Sequence, residues 1–193
     1  MASSKLRFVL GILRYPSEAG RRLRELYRIV TAPPESSTVP ASRLPDVSII
    51  PVTQTDALGV KLVEMYARNP SPFVSGPASI EKLELSLSQG MRYFLFTNER
   101  GELIGARAFD PGKKLLQSIV TDYPFRGQGY QLSAGKKLIR HLVDEGHKEL
   151  RAVVFRSNTR MLRTMAAEGW QLKADPDNPD LIQGTINQSG KLD

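Results

Sequence analysis

The run FRGQGYQL, Phe125 to Leu132, places an arginine and two glycines directly before a stretch of helical periodicity. Leu132, Gly135, Leu138, Ile139, Leu142 and Val143 recur on one face, which predicts a helix from about Gly129 to Glu145, ended by Gly146. The first turn of a helix carries unpaired N–H groups and the positive end of its dipole. Glycine lets a ligand approach the backbone without meeting a Cβ. Arg126 adds a charged donor at the same point. The chemistry implied is anion binding, most simply of phosphate; the alternative is a turn that merely ends a loop. No Gly-Lys-Ser/Thr follows, so it is not a Walker motif, and two glycines are one short of a dinucleotide fingerprint.

A second run, SNTRMLRTMAAEGW, begins at Ser157. It predicts a helix from Asn158 to Glu168, closed by Gly169. Metal chemistry is not expected. There is no cysteine, and the two histidines, His141 and His147, are six apart and do not share a helix face.

The elements that must position these residues follow a regular order from Asp46 onward. Val47–Val52 reads as a strand. Thr55 or Asp56 caps a helix holding Leu58, Leu62, Val63, Met65 and Tyr66, and Ser79 opens another with Ile80, Leu83 and Leu87, ended by Gly90. Tyr93–Thr97, Leu103–Phe109 and Leu115–Thr121 form a three-strand meander with turns at NERG and DPGK. After the glycine-led helix come a strand at Leu150–Phe155, the Asn158 helix, and strands at Trp170–Leu172 and Leu181–Ile186. A strand, a helix and a strand in that order make the pair Leu115–Thr121 and Leu150–Phe155 parallel within a mostly antiparallel sheet. Ligands favour the carboxyl ends of strands where they diverge, and the glycine turn falls there.

The chain has 193 residues, of which 40% are hydrophobic and 24% charged. That suits one α/β domain of ordinary size with a short appendage. No apolar run is long enough for a membrane span or a signal-peptide core. With no cysteine, a reducing cytoplasm is the expected compartment. Of the net charge of +7, residues 1–30 carry +5. They read as a basic amphipathic helical arm, packed on the domain or on a second copy in a homodimer, or touching an acidic partner or membrane surface. Nucleic acid is not expected. A Pro/Ser-rich linker fills 31–45, and the domain occupies 46–193.

From Asp46 to Asn187 both motifs and element order resemble the GNAT superfamily of acyl-CoA-dependent N-acyltransferases. Its signature Gln/Arg-x-x-Gly-x-Gly/Ala is met by Arg126 and Gly129, while Gln131 stands where a small residue is usual. Asn158 and the Gly169–Trp170 pair match the family's next helix. The resemblance implies a sheet of six to seven strands flanked by helices, with acetyl-CoA as co-substrate and no metal. The amides of Arg126, Gly127, Gln128, Gly129, Tyr130 and Gln131 would hold the pyrophosphate. The backbone of Ile119 and Val120 would pair with the pantetheine arm, and Asn158 would hydrogen-bond it. A backbone N–H near Val120 would also face the oxyanion.

Many family members have a tyrosine seven residues after the Asn as the acid for the leaving thiolate. Here that position is Met165, which cannot donate a proton. Tyr123 is then the expected catalytic acid, or water serves. Asp122 is a base candidate or a turn cap, and Gln117 and Ser118 either bind acceptor or fill the sheet. The loop from Pro70 to Ser79, with Phe73, would cover the acceptor. The expected activity is acetyl transfer from acetyl-CoA to a primary amine of a small molecule or protein. The alternatives are a longer-chain or carrier-protein-dependent N-acyltransferase, with the carrier docking near Lys136, Lys137 and Arg140, and a catalytically silent acyl-CoA-binding or scaffolding subunit.

Overall fold

The computed structural model describes residues 44–71 and 73–187. The arm expected at 1–30 and nearly all of the expected linker lie outside the described residues. The order is β1 (Val47–Val52), α1 (Ala57–Arg68), α2 (Ile80–Ser88), β2 (Arg92–Asn98), β3 (Leu103–Asp110), β4 (Leu115–Thr121), α3 (Tyr130–Asp144), β5 (Glu149–Phe155), α4 (Thr159–Glu168), β6 (Gln171–Ala174) and β7 (Leu181–Asn187). The seven strands form one sheet in the order β1-β2-β3-β4-β5-β7-β6. All neighbours are antiparallel except β4 and β5.

The helices start where short polar side chains can satisfy first-turn N–H groups. Asp56 accepts from Leu58 and Gly59 N–H at α1, Ser79 from Lys82 at α2, and Asn158 from Met161 at α4. β2 and β3 are buried on both faces because helices cover both sides there. On one face α1 and α2 lay Leu62, Met65, Tyr66 and Leu83 against Leu95 and Ala106. On the other, α3 and α4 lay Leu138, Ile139, Leu142 and Met165 against Phe94 and Phe109. Each such large side chain contributes about 2 kcal/mol by leaving water.

Three sequence expectations shift. Gly129 and Asn158 are caps of α3 and α4, so each helix begins one residue later. Ala134 joins the buried face of α3, while Leu132 and Val143 are only half-buried. β6 starts at Gln171, because Trp170 turns into the core and donates its indole N–H to Glu168 Oε2 at 2.7 Å.

Candidate active site

β4 and β5 share one register pair, Leu115 with Arg151, at their amino ends. Beyond it they separate, so β4 keeps an open edge toward β5 from Leu116 to Thr121. The other edge of β4 is irregular too. Val120 pairs with Ala106 and Gln117 with Ala108, so Ser118 and Ile119 together oppose Arg107 alone. Ser118 takes φ +53, the left-handed conformation of a β-bulge. The bulge is held on both sides of its chain. The buried Tyr66 hydroxyl donates to Ser118 C=O at 2.5 Å, and Ser118 Oγ donates to Ser75 C=O at 2.6 Å.

At the carboxyl end of β4 a 3-10 turn, Tyr123–Phe125, leads into the glycine loop. Gly127 and Gly129 have φ +78 and +83, conformations that a side chain would strain by about 1–2 kcal/mol each. Gly129 caps α3 with no side-chain hydrogen bond, unlike the caps of α1, α2 and α4. The first backbone bond of α3 runs from Ser133 N–H to Gly129 C=O. The preceding N–H groups of its first turn therefore point out past the helix end, beside the open edge of β4.

Solved structures of low sequence identity share this fold. A ribosomal-protein-alanine N-acetyltransferase from Escherichia coli aligns over 76% of this chain and 96% of its own, with TM-score 0.58 and 18% identity. A GNAT family acetyltransferase from Elizabethkingia anophelis with acetyl-CoA bound aligns over 73% and 97%, with TM-score 0.53 and 17% identity. An acetyltransferase from Bacillus subtilis in complex with CoA gives 74%, 99%, 0.54 and 10%. The chain has the GNAT fold. No protein-family model and no curated protein matches its sequence.

On that GNAT frame four of the expected donor-side residues share one site. Ile119, Val120, Tyr130 and Gln131 line one small cavity between β4 and the start of α3. Tyr130 stacks edge-on against Phe125 at 5.7 Å, which fixes the loop to the core. Gln128 is exposed and its amide donates to Pro124 C=O at 2.7 Å. Asn158 uses Oδ1 to cap α4 at Met161 N–H, 3.2 Å. Arg126 is turned away from the helix end. Its Nε donates to Thr121 C=O at 3.0 Å and its Nη2 to Asn69 Oδ1 at 2.9 Å. Its guanidinium thus locks the loop to the end of α1, and its backbone remains at the helix mouth.

The proton-transfer candidates sort differently. Met165 is fully buried and packs on Gly184 in β7, so it is a core side chain. Asp122 is committed to the fold: it ion-pairs with Arg68 at 2.7 Å, and accepts from Asn69 at 2.9 Å and from Tyr123 N–H at 3.1 Å. Of its two sequence readings, the turn cap is the one the geometry supports. Tyr123 is 69% exposed on the turn after β4, with the Arg126 guanidinium 5.5 Å from its ring centre. His141 pairs with Glu145 at 3.3 Å, and His147 stacks edge-on against Phe109 at 4.8 Å. Among the described residues no group of three metal-ligating side chains converges. No helix there is long and apolar enough to cross a membrane.

The loop that the sequence resemblance assigns to the acceptor has a definite seat. Ser75 is tied to the β4 bulge through Ser118, and Phe73 meets Phe155 at the end of β5, with ring centres 5.8 Å apart. Two residues span at most about 7 Å. Residues 73–75 therefore cross the gap between β4 and β5 as a strap. Gly76 lies flat on the Tyr66 ring, where a Cβ would come within 2.2 Å. Sequence periodicity marked Tyr66 only as one apolar helix position. Nothing local distinguishes it, because the backbone carbonyl it meets is 52 residues away.

Proposed function

We propose that this chain is an acyl-CoA-dependent N-acyltransferase, most simply one that moves an acetyl group from acetyl-CoA to a primary amine. The observation that carries this is the open edge of β4 leading to a glycine-framed helix N-terminus that has no side-chain cap. An extended amide-bearing arm can pair with the first, and a pyrophosphate fits the second. The neighbours from Elizabethkingia anophelis and Bacillus subtilis hold acetyl-CoA and CoA. In this chain the amides of Arg126 to Gln131 are assigned to the pyrophosphate. The backbone of Ile119 and Val120, and the Asn158 amide, are assigned to the pantetheine arm.

The thioester is already activated, so the protein's task is alignment and charge stabilisation. The amine attacks the thioester carbonyl; the C–N bond forms and the C–S bond breaks. A backbone N–H of β4 near Val120 is assigned to the oxyanion. The amine proton leaves to water, since Asp122 is occupied. The thiolate takes a proton from Tyr123 or from water.

Calorimetric titration with acetyl-CoA is the test, with Gly129→Glu as the control. Micromolar binding that the variant lacks supports the reading. A wild-type protein that binds no acyl-CoA of any chain length overturns it. A second reading rests on Met165 in the core and Gln131 at the cofactor loop: a silent subunit that binds acyl-CoA without turnover. Thiol release in the presence of any amine from a panel eliminates that alternative.

A further inference from the structure

Gln131 stands in the first turn of α3, where the GNAT pattern has a small residue. Its amide does not turn to solvent. Oε1 accepts from Thr121 Oγ1 at 3.4 Å, and Nε2 donates to Met161 Sδ at 3.1 Å. Thr121 is the last residue of β4. Met161 lies in the first turn of α4, the helix that follows β5. The two contacts therefore join the two sides of the split sheet at its open end. The small cavity between β4 and α3 has Gln131 in its wall, beside Ile119, Val120 and Thr121. An arm lying along the open edge of β4 and continuing to the α3 N-terminus must pass the line from Thr121 to Met161.

We propose that Gln131 is a bolt across the donor cleft, which must swing aside before a pantetheine arm can lie along β4. The inference rests on the acyl-CoA reading above. Both contacts are weak ones. The hydroxyl contact is near the long limit for a hydrogen bond, and a thioether is a poor acceptor. The bolt therefore opens readily but taxes every donor that enters. It acts on the pantetheine segment and not on the phosphates, because the backbone N–H of Gln131 stays in the helix turn whatever the side chain does. A smaller side chain removes the tax and leaves the anion site intact.

The experiment is calorimetry of wild type, Gln131→Ala and Thr121→Val with two probes: CoA, which has the pantetheine arm, and ADP, which has a pyrophosphate without it. Gln131→Ala should bind CoA about tenfold more tightly, the loss of two modest hydrogen bonds. Thr121→Val, which removes one of them, should fall between. ADP affinity should stay within about twofold in all three, and Gln131→Ala should keep a cooperative melting transition a few degrees below wild type, because the same two contacts are lost from the unliganded protein. If wild type binds CoA and Gln131→Ala binds it no better, the bolt is wrong and the acyl-CoA reading survives. If ADP gains as much as CoA, the side chain acts on the phosphate cradle and the bolt is also wrong. If none of the three binds CoA or an acyl-CoA of any chain length, both readings fall together.

Discussion

Tyr123 and Met165 divide the question of where a leaving thiolate would find its proton. Met165 answers by its position. It has no contact with solvent and fills the space above Gly184, so packing accounts for it completely. Tyr123 is the reverse case: an exposed phenol on the turn that follows β4, beside the Arg126 guanidinium. If it is the acid, Tyr123→Phe lowers kcat by about 100-fold or more, the usual scale of a lost general acid. CoA affinity then stays within about twofold, since the ring and its stacking under Arg126 are retained. A kcat within about threefold of wild type assigns the proton to water and reduces Tyr123 to packing. Tyr66 does not compete for the role. Burial pushes its phenol well above the usual value, and its proton is spent on Ser118 C=O.

The elements were legible in the sequence because their signals are local. Asp56, Ser79 and Asn158 stand where helices start, Gly90, Gly146 and Gly169 where they stop, and each apolar face repeats with its own period. The split between β4 and β5 was legible too, since a strand-helix-strand unit dictates a parallel pair. The bulge at Ser118 was not. LLQSIVT reads as an ordinary strand, and what bends it lies elsewhere in the chain, in Tyr66 and Ser75. The same holds for the strap. Phe73 reads as one aromatic in a proline-rich loop, and only the fold brings it to Phe155. The strap crosses the gap on the side of α1 rather than along the glycine loop, so the proposed function assigns it to the acceptor. Phe73→Ala should raise the acceptor KM several-fold, on the order of the loss of one aromatic contact, about 1 kcal/mol. Calorimetric affinity for CoA should not move. An equal loss in both measurements would place Phe73 in the donor site instead.

At the scale of the domain, one buried ion pair among the described residues ties the sheet to α4. Arg107 lies in β3 opposite the bulge, and its guanidinium reaches Glu168 at the end of α4, 3.8 Å away. A strand arginine ordinarily signals an exposed position; this one is 1% exposed, which its sequence neighbours do not announce. Glu168 Oε1 sits against Gly135, where a Cβ would come within 1.9 Å, so α3 approaches α4 only because that residue is glycine. The pair is poorly satisfied: Arg107 Nε and Nη1 and Glu168 Oε1 have no hydrogen-bond partner among the described residues. Burial consequently pushes the Glu168 carboxyl up, against the pull of Arg107 and of the Trp170 N–H, and pushes Arg107 down. A carboxyl raised in this way binds its proton more tightly folded than unfolded. Its contribution to stability is complete below the ordinary value of 4.5 and is lost as pH rises through the folded value. Arg107→Met removes the charge that opposes the shift, so its stability should fall more steeply than that of wild type between about pH 5 and pH 8. Replacing both partners, Arg107→Met with Glu168→Gln, should erase that slope, keep an acceptor for Trp170, and leave stability unchanged or about 1–4 kcal/mol higher. Urea denaturation of the three proteins across that range decides it. A double variant several kcal/mol weaker than wild type would show that the ion pair holds the two helices to the sheet, and that its unpaired atoms cost less than they appear to from their surroundings.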